Sequence, residues 1–323
     1  MSMPTQTFDA EFRSLEYIIL KAKRVLLFAH TRPDPDTVGA NLALAEYVRS
    51  CGKHVDIACF DAFPDALKSL AEDTFFHPDQ LDLSQYDAVI VCDSVDRGFH
   101  KIAPSLPASQ AVVLIDHHPD ITTKGDVVII DTGYSSSSEL VYLFFSAIKI
   151  KITPSMATTL LMGILFDTGG FQHSNVSPRV MEIASDLMKK GAPLSKIAKI
   201  IFTNNTMGAL KLWGRAFEKA RFNQKNGMLV TGITTKDIAE CHAAAEDIHQ
   251  VASILSAVPD ARFALVLSEH ADNTIRASLR STKHQGTDVS AIAHRFGGGG
   301  HKLASGFEIQ GRLIETNEGF MVA

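Results

Sequence analysis

At 323 residues the chain is long enough for two ordinary domains, each with its own buried core. Its 46% hydrophobic content argues against disorder, and no apolar run reaches the roughly 18 residues that a membrane helix needs. A net charge of −5 argues against a protein that grips long nucleic acid by its backbone, yet leaves room for a local cluster that holds a small anion.

The opening MSMPTQTFDAEF has no basic region followed by an apolar core, so no secretory signal is expected. Cys51, Cys59, Cys92 and Cys241 are scattered, and read as buried free thiols of a reducing cytoplasm. Residues 1–23 predict a leading helix with apolar positions at Phe12, Leu15, Ile18, Ile19 and Leu20. The apolar run Val25–Ala29 then reads as a buried strand ending in His30. Asp34 and Asp36 follow, each preceded by a proline, which places both carboxylates on a short stiff loop. Gly39 allows a close helix contact, and residues 41–48 have helical spacing.

Residues 54–60 predict another strand and 64–70 a short helix. The apolar run 87–92 ends in Asp93, and 111–115 ends in Asp116-His117-His118. Residues 127–130 form a further strand, and the serine run 135–138 reads as the cap of a helix that starts near Glu139. Thr153-Pro154 is a helix start, and that helix is apolar nearly all round until Asp167. A carboxylate there faces the negative end of the helix dipole, a placement that a cation would reverse in sign. Ser177-Pro178 opens another helix that ends at Gly191. Alternating strands and helices imply a doubly wound parallel α/β sheet over residues 1–192.

Residues 193–220 look like a helical linker. Beyond it, 228–233, 262–267 and 275–279 read as strands and 236–258 as helical, so 221–323 is expected to be a smaller α+β domain. It contains Arg280-Ser281 and the run Gly297–Gly300 followed by His301. Four glycines fit a flexible loop as well as a phosphate cradle; Arg280 and His301 nearby favour an anion site. No serine stands in a nucleophile-elbow setting.

One aspartate after a strand is usually a turn former, and one histidine beside an apolar run is usually packed. The joint pattern differs. In a parallel α/β sheet, ligands lie outside the carboxyl ends of the strands. His30, Asp34, Asp36, Asp93, His117 and Asp167 give four carboxylates and two imidazoles there. Such carboxylates repel one another unless cations join them, and two divalent ions would neutralise the set. Mixed carboxylate and imidazole donors suit manganese, and also magnesium, iron or zinc.

HTRPDPD, VIVCD, DHH, FDTGGF and FGGGGHKLASG together resemble the DHH phosphoesterases with a DHH-associated C-terminal domain. The motifs stand in family order over most of the chain, which looks most like the compact NrnA type, oligoribonuclease and 3′-phosphoadenosine 5′-phosphate phosphatase. The resemblance implies one metal on His30, Asp34 and Asp93, and a second on Asp36, Asp93, His117 and Asp167, with Mn2+ preferred over Mg2+. It implies that Asp116 orients its neighbours, that His118 contacts the reacting phosphate, and that Arg280, Ser281, Gly298, Gly299, Gly300 and His301 hold the rest of the substrate in a cleft between the domains. The expected substrates are short RNA or DNA oligonucleotides or small nucleotides, with a cyclic dinucleotide such as c-di-AMP or a linear dinucleotide as the alternative. Long nucleic acid and membranes are not expected as partners, and the resemblance allows a homodimer. HKLASG departs from the alanine pair that the family often carries before its last glycine, which bears on substrate preference. A non-catalytic nucleotide sensor is disfavoured, because every implied metal ligand is present.

Overall fold

The computed structural model describes residues 7–323 apart from 96, 120, 204–205, 249, 271, 283 and 317–318. The first six residues of the expected leading helix thus lie outside the described residues, and the helix itself, α1, spans Asp9–Lys21. The chain divides into two units, Met1–Thr203 and Asn204–Ala323.

The first unit continues with β1 (Arg24–Phe28), α2 (Pro35–Ser50), β2 (His54–Ala58), β3 (Phe75–Phe76), β4 (Ala88–Cys92), β5 (Ala111–Asp116) and β6 (Val127–Ile130). It is completed by α3 (Ser137–Ala147), α4 (Pro154–Asp167), α5 (Pro178–Lys189) and α6 (Leu194–Ala198). The six strands form one parallel sheet in the order β3-β2-β1-β4-β5-β6. The order reverses between β1 and β4, and such a switch point opens a crevice at the carboxyl ends of the strands.

The interiors of the central strands β1, β4 and β5 are apolar because both faces of the sheet are covered there. Val25, Leu27, Ile90 and Val113 join the core that the helices share. Leu26, Phe28, Val89, Val91 and Leu114 face the other side, closed by Phe99 and Ile102 of short 3-10 turns. Helix α2 begins earlier than the sequence pattern suggests. Asp34 is its N-cap, with Oδ1 accepting from the N–H groups of Asp36 (3.0 Å) and Thr37 (3.1 Å), and Pro35 is its first residue. Asp36 therefore stands in the first helical turn and not on a loop, because a proline at that position is preorganised for a helix.

Helices α2 and α4 pack so closely that a Cβ on Gly39 would overlap the carbonyl oxygen of Thr159. Gly39→Ala should therefore lower the stability of this unit by about 1–3 kcal/mol, the usual cost of overpacking. A chemical-denaturation midpoint equal to that of the wild type would remove this account of the glycine.

The second unit holds α7 (Met207–Glu218), β7 (Arg221–Asn223), β8 (Met228–Ile233), α8 (Thr235–Cys241), α9 (Val251–Ser256), β9 (Phe263–Glu269) and β10 (Thr274–Arg280). It ends with α10 (Val289–His294), β11 (Gly299–His301), β12 (Ala304–Gln310) and the hairpin of β13 (Leu313–Thr316) and β14 (Gly319–Val322). Its mixed sheet runs β11-β12-β10-β9-β8-β7, with β8 and β9 parallel. Alternate side chains of β8 and β9 enter two cores: Leu229, Ala264 and Val266 join α7 and α9, whereas Val230 and Leu267 join α10 and Phe307.

The single helical stretch expected over 236–258 is broken. Helix α8 stops at Cys241, where His242 turns left-handed at φ 52°, and a short 3-10 turn precedes α9. The stretch 193–220 contributes α6 to the first unit and α7 to the second. The glycine run is only partly a loop, since Gly299–His301 pairs with β12 as an edge strand.

Candidate metal centre

The switch point brings the six candidate ligands together. β1 leads into His30, β4 into Asp93 and β5 into His117, while the first turn of α2 supplies Asp36, its cap supplies Asp34, and the last residue of α4 is Asp167. His30 Nε2 lies 3.1 Å from Asp34 Oδ2 and 3.4 Å from Asp93 Oδ2. His117 Nε2 lies 3.0 Å from Asp167 Oδ2, 3.7 Å from Asp93 Oδ1 and 3.9 Å from Asp36 Oδ2. Asp93 is thus turned with one oxygen toward each histidine.

Local bonds hold this arrangement. Thr37 Oγ1 accepts from the His30 N–H (3.4 Å) and donates to the Cys92 carbonyl (3.3 Å), so one α2 side chain ties the ends of β1 and β4. Asn41 Nδ2 donates to the same Cys92 carbonyl at 3.3 Å. Asp93 adopts a left-handed φ of 60°, a conformation that aspartate tolerates better than most residues. The N–H groups of Ser137 and Ser138, at the start of α3, donate to Asp36 Oδ2 (2.8 Å) and Oδ1 (2.9 Å). Gly163 of α4 lies beneath this contact, and a Cβ there would overlap Ser138 Oγ and crowd Asp36 Oδ1.

Asp116 plays another part. Its Oδ1 accepts from the N–H groups of His117 (2.8 Å) and His118 (3.0 Å) and faces His118 Nδ1 at 2.8 Å. Its Oδ2 accepts from the Val95 N–H at 3.3 Å. Burial would raise its pKa, but the His118 side chain and these donors hold it at about 2. A carboxylate so fully engaged organises the histidine pair, and His118, half-buried, presents its Nε2 edge away from Asp116.

The electrostatics call for cations. Burial drives Asp36 well above the ordinary carboxylate range, and the Asp167 and Asp93 charges push the same way. Asp167 is also raised, by burial first and by Asp34 and Asp93 beyond that, although His117 opposes the shift. Burial would lower both histidines, yet the adjoining carboxylates raise them to about 10: Asp34 beside His30, and Asp167 beside His117. Protons thus stand where cations would serve. The His30 ring fits such an ion, for its Nδ1 faces the Thr31 carbonyl at 2.7 Å while Nε2 is buried and aligned in no hydrogen bond among the described residues. A soft-to-borderline nitrogen among carboxylate oxygens is a donor set for a divalent metal.

Residues 24–164 match the model of the DHH family, N-terminal domain, and residues 230–319 match that of the DHHA1 domain. The chain is a DHH–DHHA1 protein. The bifunctional oligoribonuclease and PAP phosphatase NrnA of Bacillus subtilis (strain 168) is 28% identical over 291 residues, 88% of this chain and 89% of that protein. The cyclic-di-AMP phosphodiesterase GdpP of Geobacillus thermodenitrificans (strain NG80-2) is 27% identical over 305 residues, 89% of this chain and 45% of that protein. The crystal structure of an exopolyphosphatase-related protein from Bacteroides fragilis has the same fold, with a TM-score of 0.86 at 23% identity, over 96% of this chain and 94% of that one.

In the DHHA1 domain, Arg280 closes β10, and its Nη1 donates to the Leu279 carbonyl at 2.9 Å. Its Nε is buried without a hydrogen-bond partner among the described residues, and burial lowers its pKa. Ser281 spends its hydroxyl on the Arg262 carbonyl (3.0 Å) and its N–H on the Leu303 carbonyl (2.9 Å). A Cβ on Gly298 would overlap the Gly306 carbonyl, and Gly300 has a φ of 127° with the Ala304 carbonyl close by. Packing alone therefore accounts for these two glycines, whereas Gly299 is less crowded. His301 ends β11.

Sequence reasoning misses Thr37, Asn41, Ser137 and Ser138 of the DHH domain, and also Arg97, whose Nη2 lies 3.8 Å from Asp34 Oδ2. The serine run 135–138 is the one visible signal. It is read as a helix start alone, and Ser136 does cap α3 by accepting from the Glu139 N–H.

Proposed function

We propose that this protein is a two-metal phosphoesterase that hydrolyses short oligonucleotides, 3′-phosphoadenosine 5′-phosphate, or both, as NrnA's name describes for that relative. The observation that carries the reading is the heading of Asp93, with Oδ2 toward His30 and Oδ1 toward His117. On it, His30, Asp34 and Asp93 hold one cation, and Asp36, Asp93, His117 and Asp167 hold the other. Manganese suits these donors best, with magnesium as the alternative. Two bound cations would offset the carboxylate charge, polarise the phosphoryl oxygens and bring an attacking water toward neutral pKa.

The chain's own residues do the rest. Asp116 fixes the His118 ring through Nδ1, so that Nε2 meets a phosphoryl oxygen and stabilises charge developing there. Arg280, Gly299 and His301 hold the nucleotide beyond the scissile phosphate; a buried guanidinium N–H without a partner is costly unless an anion satisfies it. Gly298, Gly300 and Ser281 shape that region through the backbone. No helix among the described residues is long and apolar enough to cross a membrane, and a cytoplasmic site of action fits the four free cysteines.

A second reading, cyclic dinucleotide hydrolysis, is supported by the 27% identity to GdpP. Assaying purified protein on linear dinucleotides, adenosine bisphosphate and c-di-AMP decides between them. The acidic chain has no extended basic track, so kcat/KM should fall once oligonucleotides exceed about five residues. Arg280→Ala should raise KM for nucleotides by about 1.5–3 kcal/mol, the worth of a charge-assisted contact, and leave bis-nitrophenyl phosphate far less affected. Rising efficiency up to about twenty-four residues would favour a processive exonuclease instead. An equal loss on the generic ester would move Arg280 to the metal centre or the fold.

A further inference from the structure

Ser137 contacts two of the four candidate ligands of one cation position, Asp36 and Asp93, and of the other position only the shared Asp93. It is fully buried as the first residue of α3. Its N–H donates to Asp36 Oδ2 at 2.8 Å, and its hydroxyl donates to Asp93 Oδ1 at 3.2 Å. Both acceptors are the oxygens turned toward His117, at 3.9 and 3.7 Å. The His30 side is organised separately: Asp34 Oδ1 takes the first N–H groups of α2, and His30 Nδ1 faces the Thr31 carbonyl.

We infer that the Ser137 hydroxyl is a positioning group that sets the relative affinity of the two cation positions, by holding Asp93 Oδ1 toward the His117 side. The inference rests on the two-cation reading above. The terminal torsion of an aspartate is broad and roughly two-fold, so the carboxylate plane of Asp93 needs an external bond to fix its heading. The Ser137 hydroxyl bonds Asp93 Oδ1 at 3.2 Å, closer than His118 Nδ1 at 3.5 Å or His117 Nε2 at 3.7 Å. On the His30 side a cation would itself hold Oδ2, with Asp34 and His30 already fixed. One plane carries both oxygens, so Ser137 acts most on Oδ1, where its bond lands, and least on the His30 side, whose other two ligands are fixed without it. Partners that orient a ligand typically change metal affinity by about 10–100-fold when removed.

The test is Mn2+ binding to metal-free protein, read by calorimetry and by the electron paramagnetic resonance of free Mn2+, with no substrate present. Wild type should bind two ions. Ser137→Ala keeps the backbone N–H to Asp36 and loses only the hydroxyl bond. It should weaken one ion about 10–100-fold and leave the other within about threefold. The same substitution should act fully in a His30→Ala background and change nothing in a His117→Ala background, which a general loosening of the fold would not do. Equal weakening of both ions, or of neither, overturns the role of Ser137. A wild type that binds one ion overturns the two-cation reading itself, and the inference with it. If Ser137→Ala shows no cooperative melt, Ser137→Cys, with its weaker donor, should give the same one-sided loss in smaller measure, and a two-sided loss counts against the proposal.

Discussion

Asp93→Asn should lower kcat/KM by about 10³-fold or more, which corresponds to roughly 4 kcal/mol of transition-state stabilisation. Asp93 is the only candidate ligand whose two oxygens face different histidines, so its loss leaves both cation positions short of a charge. Asparagine is the cleaner substitution because residue 93 sits at φ 60°, where asparagine is tolerated and alanine adds backbone strain. Asp93→Ala should be at least as inactive. The protein should stay folded: the lost charge relieves Asp36 and Asp167 but also removes a partner of the protonated His30 and His117, so the melting of the metal-free form should shift little. A variant that keeps more than a tenth of the activity would show that Asp93 bridges nothing. A variant that loses activity and its cooperative melt together would point to a structural role, and Mn2+ titration of whatever fraction remains folded then separates the two.

The parts of the site that the sequence discloses are those at the ends of apolar runs. His30, Asp93 and the Asp116–His118 trio each close a buried strand, and Asp167 closes a buried helix, so a change from apolar to ionisable marks each position. Order along the chain carries no information on distance, however. The meeting of β1 and β4 as neighbours follows from strand order, which alternation alone leaves open. Asp36 shows a different limit. Two X-Pro pairs in succession read as a stiff loop, yet Pro35 serves as the first residue of α2 because Asp34 caps it. The same dipeptide pattern supports either outcome until the cap is seen to bond.

The polar residues that hold the ligands are almost silent in sequence. Thr37 and Asn41 look like ordinary helix positions, but their side chains tie α2 to the ends of β1 and β4. Ser137 and Ser138 hold Asp36 through backbone N–H groups, which every residue but proline possesses. Gly298 and Gly300 show the reverse. Their composition suggests a phosphate cradle, whereas close backbone approach and a φ of 127° at Gly300 require glycine without any ligand. The role proposed for Arg280 gains a support that composition does not contain, namely a buried Nε with no partner among the described residues.

Exhaustive chelation should leave the protein inactive, and Mn2+ should restore activity better than Mg2+. The donors motivate the order: two imidazoles favour manganese over the harder magnesium, while four carboxylates keep both within reach. The histidines add a signature that activity alone lacks. Without cations, His30 and His117 are held at about 10 by the carboxylates around them, so at pH 8 both carry the extra proton. A metal ligand must be the neutral imidazole, so binding displaces those protons. Loading both positions at pH 8 should therefore release about two protons or more, two from the imidazoles and the rest from the raised Asp36 and Asp167, measurable as the dependence of binding enthalpy on the ionisation enthalpy of the buffer. The sign follows directly: below about 10 protons compete with metal at these rings, so affinity should fall as the pH falls. Binding without proton release would mean that the two imidazoles are already neutral before metal arrives or do not bind it. Activity that survives complete removal of metal would end the two-metal mechanism proposed for this centre, because the attack on phosphorus would then have to run on general acid–base chemistry of the side chains alone.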